Sequence, residues 1–188
     1  MNFLDFFSGV RRKQAQPSEA PNHWVKCKNC NALMYYKEIE VCLNVCPKCG
    51  YHMRISPQQR IDLLADEGTF TEFDANLEAI DPLKFVDSKS YKKRLEESES
   101  KTGRKSAAIG GECLIDGQRV QLVVFDFAFM GGSLGSVEGE KVVRAVQRAI
   151  NSHTPLIIIC TSGGARMQES TYALMQMSKT STALKLLA

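Results

Sequence analysis

No apolar run in this 188-residue chain approaches the roughly 18 residues that a membrane-crossing helix needs. It carries no internal repeat of its own and no low-complexity tract, which sets aside solenoids and disordered polar tails. The Gly-Lys-Ser/Thr ending of a phosphate-binding loop is missing, and so is the G-x-G-x-x-G order of a dinucleotide turn. A net charge of +3 is too small to imply a polyanionic partner by itself. The opening MNFLDFFSGVRRKQ puts its apolar residues before its basic ones, the reverse of a secretory signal, and has no small-residue cleavage site. The expected setting is therefore the cytoplasm or an equivalent reducing compartment, with no membrane association.

Cysteine, by contrast, is plentiful. Seven is an odd number, and with no secretory context a disulfide framework is not expected. Cys27 and Cys30 form one Cys-x₂-Cys pair, and Cys46 and Cys49 form another fifteen residues on. Each pair directs two thiolates at one point, so the two supply the corners of a tetrahedron around Zn²⁺. Gly50 relaxes the turn after the second pair. All four positions are filled by protein, leaving none for water or substrate, so the predicted metal is structural. Cys42 has no partner at the right offset and reads as a free thiol.

Residues 22–60 hold six Lys/Arg against two acids. Four thiolates and one Zn²⁺ would add two negative charges and halve that excess of four. Trp24, Tyr35, Tyr36 and Tyr51 could stack on bases, which leaves weak nucleic-acid binding open. They are equally what a small module needs as its core.

The chain divides into a leader (1–22), a zinc ribbon (23–55), a helical connector (56–105) and an α/β region (106–188). Ser56 before Pro57 predicts a helix start, and Gly68 its stop. Between 81 and 106 Tyr91 and Leu95 are the only helical anchors of an exposed helix. Asp116-Gly117 between two β-rich runs predicts a type I′ hairpin. Val142, Ala145, Val146, Ala149 and Ile150 recur at helical spacing. LIII at 156–159 predicts a short strand buried on both faces, with another helix starting after the glycines that follow. The last residues, STALKLLA, stop in an uncapped helical pattern. The expectation is a longer chain, or a second polypeptide that completes the sheet.

Two glycine-rich segments follow strands: FMGGSLGSVEGEK and TSGGARMQE. One reading is tight strand-to-helix turns. The other uses the backbone, because glycine lets a ligand approach the main chain and the first N–H groups of a helix point outward. Two such donors aimed at one carbonyl oxygen form an oxyanion hole, which accounts for a site without a catalytic side chain.

The two Cys-x₂-Cys pairs, DEGTFTEFD at 66–74, GSLGSVEGEK at 132–141, SGGARMQES at 162–170 and LMQMSKTS at 174–181 together resemble the β subunit family of acetyl-CoA carboxylase carboxyltransferases of bacterial and plastid type. The resemblance implies a crotonase-like spiral of ββα units, incomplete at the C-terminus, behind the four-cysteine zinc ribbon. It implies transfer of carboxylate from carboxybiotin to acetyl-CoA, giving malonyl-CoA for fatty acid synthesis. The implied partners are an α subunit in an α₂β₂ heterotetramer, a biotin carboxyl carrier protein that supplies the biotin, and a biotin carboxylase; the implied location is the bacterial cytoplasm or the plastid stroma. Coenzyme A carries the substrate. On this reading the N–H groups near Gly132 and at Gly163 and Gly164 stabilise the thioester enolate. The proton goes to the ureido nitrogen of biotin after CO₂ leaves. Arg166 is expected either to hold a CoA phosphate or to fix the loop, with pairing to Glu169 or Glu138 as the alternative.

Cys160 is expected in the core, His153 on the surface, and Met167, Met175 and Met177 in core packing or against a partner subunit. Two other functions compete: a zinc-ribbon nucleic-acid module on an α/β carrier, and a different crotonase-like acyl-CoA carboxylase. The latter, of the propionyl-CoA carboxylase β kind, is not expected to carry a ribbon.

Overall fold

The computed structural model describes residues 24–188; the expected leader, 1–22, lies outside the described residues. The chain forms two compact units, one ending at Arg54 and one spanning Ile55–Ala188.

In the first unit β1 (Trp24–Lys26) and β2 (Leu33–Tyr35) pair antiparallel with Val25 opposite Met34, and α1 (Tyr36–Val41) follows. Strand side chains alternate between faces, so Val25 and Met34 turn inward while Trp24 and Leu33 turn outward. The core consists of Cys27, Met34, Ile39 and Cys46, with Val25 and Met53 against them. The aromatic residues do not form it, contrary to one of the two expectations: Trp24 is 64% exposed. Metal-directed cysteines and aliphatic side chains already fill so small a space.

In the second unit α2 (Pro57–Leu64) starts as its sequence dictates. The Ser56 hydroxyl accepts the Gln59 N–H and the Gln59 side chain accepts the Ser56 N–H, a reciprocal cap. The helix stops at Leu64, before Gly68, because Ala65 turns extended and the Asp66 N–H donates to the Leu114 carbonyl at 2.8 Å. A tertiary bond ends the helix earlier than its local signal.

One sheet has the order β3-β4-β5-β6, with β3 Thr71–Phe73, β4 Ala108–Ile115, β5 Gln118–Phe125 and β6 Leu156–Ile159. The first two pairings are antiparallel and the last is parallel. Asp116 and Gly117 both have positive φ (50° and 74°), as a type I′ hairpin needs. One sheet face packs Ile109, Cys113, Leu122 and Val124 on Ile61 of α2. The other packs Ala108, Val123 and Phe125 on Val142 and Ala145 of α4 (Ser136–Ser152). Burying a valine such as Val142 this way stabilises by about 1.5–3 kcal/mol. His153 ends α4 in a left-handed conformation and is exposed, as expected. Helix α5 (Thr171–Leu187) buries Ala173, Gln176 and Ala183 and packs along α4.

Three expectations need correction. Residues 56–105 are not a connector, because β3 joins the sheet and Tyr91 of α3 (Tyr91–Thr102) is completely buried. Strand β6 is not buried on both faces: among the described residues it pairs with β5 alone, and Ile157 is 37% exposed. Cys160 lies past that edge and is exposed rather than in the core.

Candidate functional site

The four cysteines of the first unit converge. Cys27 and Cys49 sulfurs lie 3.7 Å apart and Cys30 and Cys46 3.8 Å apart, and all four lie within 4.8 Å of one another. A tetrahedron with Zn–S bonds of about 2.3 Å has edges of about 3.8 Å, so the cluster has the dimensions of a structural zinc site. Its electrostatics point the same way. The Asn29 side chain and the Tyr51 N–H lower the Cys49 pKa to about 6. At Cys30 the Ala32 N–H pulls downward, but burial and the neighbouring sulfurs outweigh it and raise the pKa to about 11. Four adjacent thiols do not all ionise without a cation between them. Cys42 is a free, half-buried cysteine outside the cluster.

In the second unit β5 and β6 end side by side, and their following turns continue the pairing. The Gly163 N–H donates to the Gly131 carbonyl at 2.9 Å, the Leu134 N–H to Gly164 at 2.8 Å, and the Arg166 N–H to Leu134 at 2.9 Å. Gly132 has φ +64°, and a Cβ there would lie 2.0 Å from the Thr161 carbonyl oxygen. The close approach of the two turns therefore requires glycine. Gly164 has φ +116° with open space around it, while a Cβ on Gly163 would meet only Gly131 O at an ordinary 3.5 Å.

In this geometry each amide expected to line the oxyanion hole has a partner within the protein. The Gly132 N–H donates to Phe129 O at 2.8 Å, the Gly163 N–H to Gly131 O, and the Gly164 N–H to the Ser162 hydroxyl at 3.1 Å. All three expected donors are engaged within the protein. Nor do the glycines open a helix: a 3-10 turn at Met167–Glu169 intervenes, Ser170 breaks the chain direction with φ 49°, and α5 begins only at Thr171. The helix dipole lies too far along the chain to act on Gly163 and Gly164.

Of the alternatives open for Arg166, the structure has the pairing with Glu138 and Glu169. Its side chain is fully buried, with Nη2 2.8 Å from Glu138 Oε1 and Nη1 3.6 Å from Glu169 Oε1. It also donates to the Ser133 carbonyl and hydroxyl and to Tyr91 Oη. No face remains for a CoA phosphate. Burial works against its charge and is the largest single effect, but Glu138 and Tyr91 together outweigh it and hold its pKa above the ordinary value. The two carboxylates in turn accept backbone N–H groups: Glu138 from Ala107 and Gly135, Glu169 from Ser136. Tyr91 donates to Glu169 at 2.6 Å; burial raises its pKa first, with Glu169 adding to the rise. This cluster ties α3, the start of β4, the N-terminus of α4 and the second glycine turn together.

Tyr91, Glu138 and Glu169 were not singled out from sequence as a unit. The available signal was Glu138 three residues after Gly135, the spacing at which a glutamate reaches back to accept the N–H of the residue that starts a helix. Met167, Met175 and Met177 are 64%, 62% and 47% exposed, so they are not core. Among the described residues, no helix is long and apolar enough to cross a membrane.

Residues 54–187 match the family model of the carboxyl transferase domain. The chain belongs to the carboxyl transferase family. Residues 24–49 match the acetyl-CoA carboxylase zinc finger domain. The chain is 62% identical over 184 residues to the acetyl-coenzyme A carboxylase carboxyl transferase subunit beta of Wolinella succinogenes, covering 98% of this chain and 64% of that protein. With the same subunit of Citrifermentans bemidjiense it shares 55% over 161 residues, 86% of this chain and 57% of that one. The chain thus spans about 57–64% of the length of these relatives.

Among solved structures it resembles transcarboxylase 12S with methylmalonyl-coenzyme A and methylmalonic acid bound. There the TM-score is 0.57 at 27% identity, covering 69% of this chain and 23% of that one. A Pseudomonas malonate decarboxylase hetero-tetramer in complex with malonate gives 0.54 at 25% identity, over 71% and 46%. The fold is α/β and crotonase-like, preceded by a four-cysteine ribbon.

Proposed function

We propose that the chain works as the carboxyltransferase β component of an acetyl-CoA carboxylase, moving carboxylate from carboxybiotin to acetyl-CoA to form malonyl-CoA. The observation that carries this is the coexistence in one chain of the transferase domain and the ribbon, both matched by their family models. The ribbon favours this reading over another acyl-CoA carboxylase. Cys27, Cys30, Cys46 and Cys49 would hold Zn²⁺, which supplies folding energy to the ribbon rather than chemistry. An α subunit would supply the carboxybiotin side, and a biotin carboxyl carrier protein would deliver the carboxyl group from biotin carboxylase. The setting is the cytoplasm of a bacterium.

The reaction needs donors for the enolate oxygen that forms when the C2 proton of acetyl-CoA leaves. Of the three glycine amides, Gly164 is best placed, because its acceptor is the rotatable, exposed Ser162 hydroxyl. Releasing such a bond costs about 1 kcal/mol, whereas an oxyanion donor is worth about 2.7–4 kcal/mol in the transition state. The exchange favours the enolate. Gly163 would donate only after its bond to Gly131 O opens, and Gly132 only after its own turn opens. Arg166 acts by holding the turn, not by touching CoA.

The test is acetyl-CoA carboxylation by the full-length subunit co-purified with an α subunit, read as malonyl-CoA formed from carboxybiotin. Gly164→Val should abolish turnover; Ser162→Ala, which frees the amide, should retain it. No malonyl-CoA from the intact complex would refute the assignment, and full activity of Gly164→Val would refute the donor.

A secondary contact with nucleic acid is supported by the outward Trp24 stacked edge-on against Tyr35 at 6.2 Å, with Tyr36 at 4.9 Å from Tyr35. Its affinity should fall steeply with salt; salt-independent binding would exclude it.

A further inference from the structure

A cavity of about 280 Å³ lies among the end of α3, β3, the start of β4 and α4, lined in part by Glu72, Glu99, Arg104, Lys105 and Lys141. None of its lining residues belongs to the two glycine turns. Lys141 is only 2% exposed, and its ammonium donates to the Ala108 carbonyl at 2.9 Å. An ammonium has three N–H groups, and one carbonyl does not satisfy a buried charge. Glu72, Glu138 and Asp74 act on it only through space, against a burial effect that lowers its pKa. The other cations of the wall are partly occupied: Arg104 pairs with Glu72 at 3.3 Å and Lys105 with Glu78 at 2.6 Å. The Arg104 contact is long for a charge-assisted bond, which is ordinarily about 2.7–2.9 Å. The carbonyl of Glu99 at the end of α3 is taken by the Gly103 N–H at 2.7 Å, so it does not compete for the ammonium.

We propose that this cavity binds a small oxyanion, a carboxylate or phosphate group, through the Lys141 ammonium with Arg104 as the second cation. At about 30 Å³ per water in the liquid, the volume has room for an oxyanion carrying a small organic tail. The inference stands apart from the carboxyl-transfer reading, since it needs neither acetyl-CoA nor a partner subunit.

The experiment titrates the zinc-loaded chain with orthophosphate and, separately, with acetate by calorimetry, and follows amine labelling of each lysine by mass spectrometry with and without the anion. The expected result is saturable binding of at least one anion, and protection of Lys141 while exposed Lys92 labels unchanged. Lys141→Met should weaken binding about tenfold or more, by the worth of a hydrogen bond to a charged group. Arg104→Gln should weaken it less, and Lys92→Met not at all. Whichever anion binds names the group. Absence of saturable binding by both, unchanged labelling of Lys141, or full affinity in a folded Lys141→Met variant would overturn the proposal. Should that variant fail to fold by circular dichroism, the labelling of the unaltered chain and the Arg104→Gln titration decide alone.

Discussion

Removing the Arg166 guanidinium should unfold the second unit far more readily than any single contact in the sheet. Arg166→Met keeps the volume but leaves Glu138 and Glu169, with side-chain exposures of 0% and 2%, facing each other with no cation between them. It also strips the Ser133 carbonyl of a 2.8 Å donor. Breaking a buried pair from one side costs about 3–5 kcal/mol. At about 2–4 °C per kcal/mol for a domain near this size, the melting temperature should fall by about 6–20 °C. Arg166→Lys, which keeps the charge and loses the fork, should fall between. The assay is equilibrium denaturation with zinc saturating, followed by circular dichroism. Arg166→Met/Glu169→Gln should be less destabilised than the sum of its single changes, by a coupling of about 0.5–3 kcal/mol. A melting point within about 2 °C of the parent would show that the cluster does not hold the fold and would refute the argument.

The same reasoning separates the glycines. Gly132→Ala, whose Cβ would lie 2.0 Å from Thr161 O, should destabilise by more than about 2 kcal/mol. Gly163→Ala, whose Cβ meets nothing closer than 3.5 Å, should stay within about 1 kcal/mol of the parent; chemical denaturation ranks the two, and equal losses would contradict the geometry. Chelating the zinc should unfold residues 24–54 while the sheet of the second unit keeps its circular dichroism, because apparent zinc binding energies of about 10–16 kcal/mol exceed what a small core supplies; an intact apo ribbon by NMR would contradict this. At Asp74 burial works to raise the pKa, but hydrogen bonds from Arg144 and Arg148 bring it below its ordinary 3.8. The folded value is the lower one, so its stabilisation is present above about pH 4 and is lost as pH falls through the folded value. Asp74→Asn should lose stability at pH 7 and flatten the acid limb of a stability-against-pH curve; an unchanged acid limb would remove Asp74 from the account.

Local signals were legible wherever a few neighbouring residues decide the outcome. The Ser56-Pro57 cap, the Asp116-Gly117 hairpin and the α4 stripe at 142, 145, 146 and 149 all formed as read. Strand β3 escaped because Thr71–Phe73 is three residues long and becomes a strand only by pairing with Gly110–Glu112. The helical start of α5 was misplaced because Ser170, at φ 49°, carries no signal in its residue type. Arg166 illustrates the larger gap. As a lone basic residue after two glycines it suits a ligand phosphate as well as a pairing with Glu138 or Glu169, and only its distances to Glu138 and Tyr91, far away in the chain, decide for the interior.

The amino acid order alone determined the ribbon's four ligands, the hairpin and the family, since each depends on spacing over a few tens of residues or on ordered motifs. Tertiary structure alone decided which way the glycine amides point and whether Arg166 or Lys141 meets water. Those outcomes depend on how two neighbouring strand ends and three helices approach one another, and hydrogen-bond direction and burial are properties of that approach rather than of any residue type.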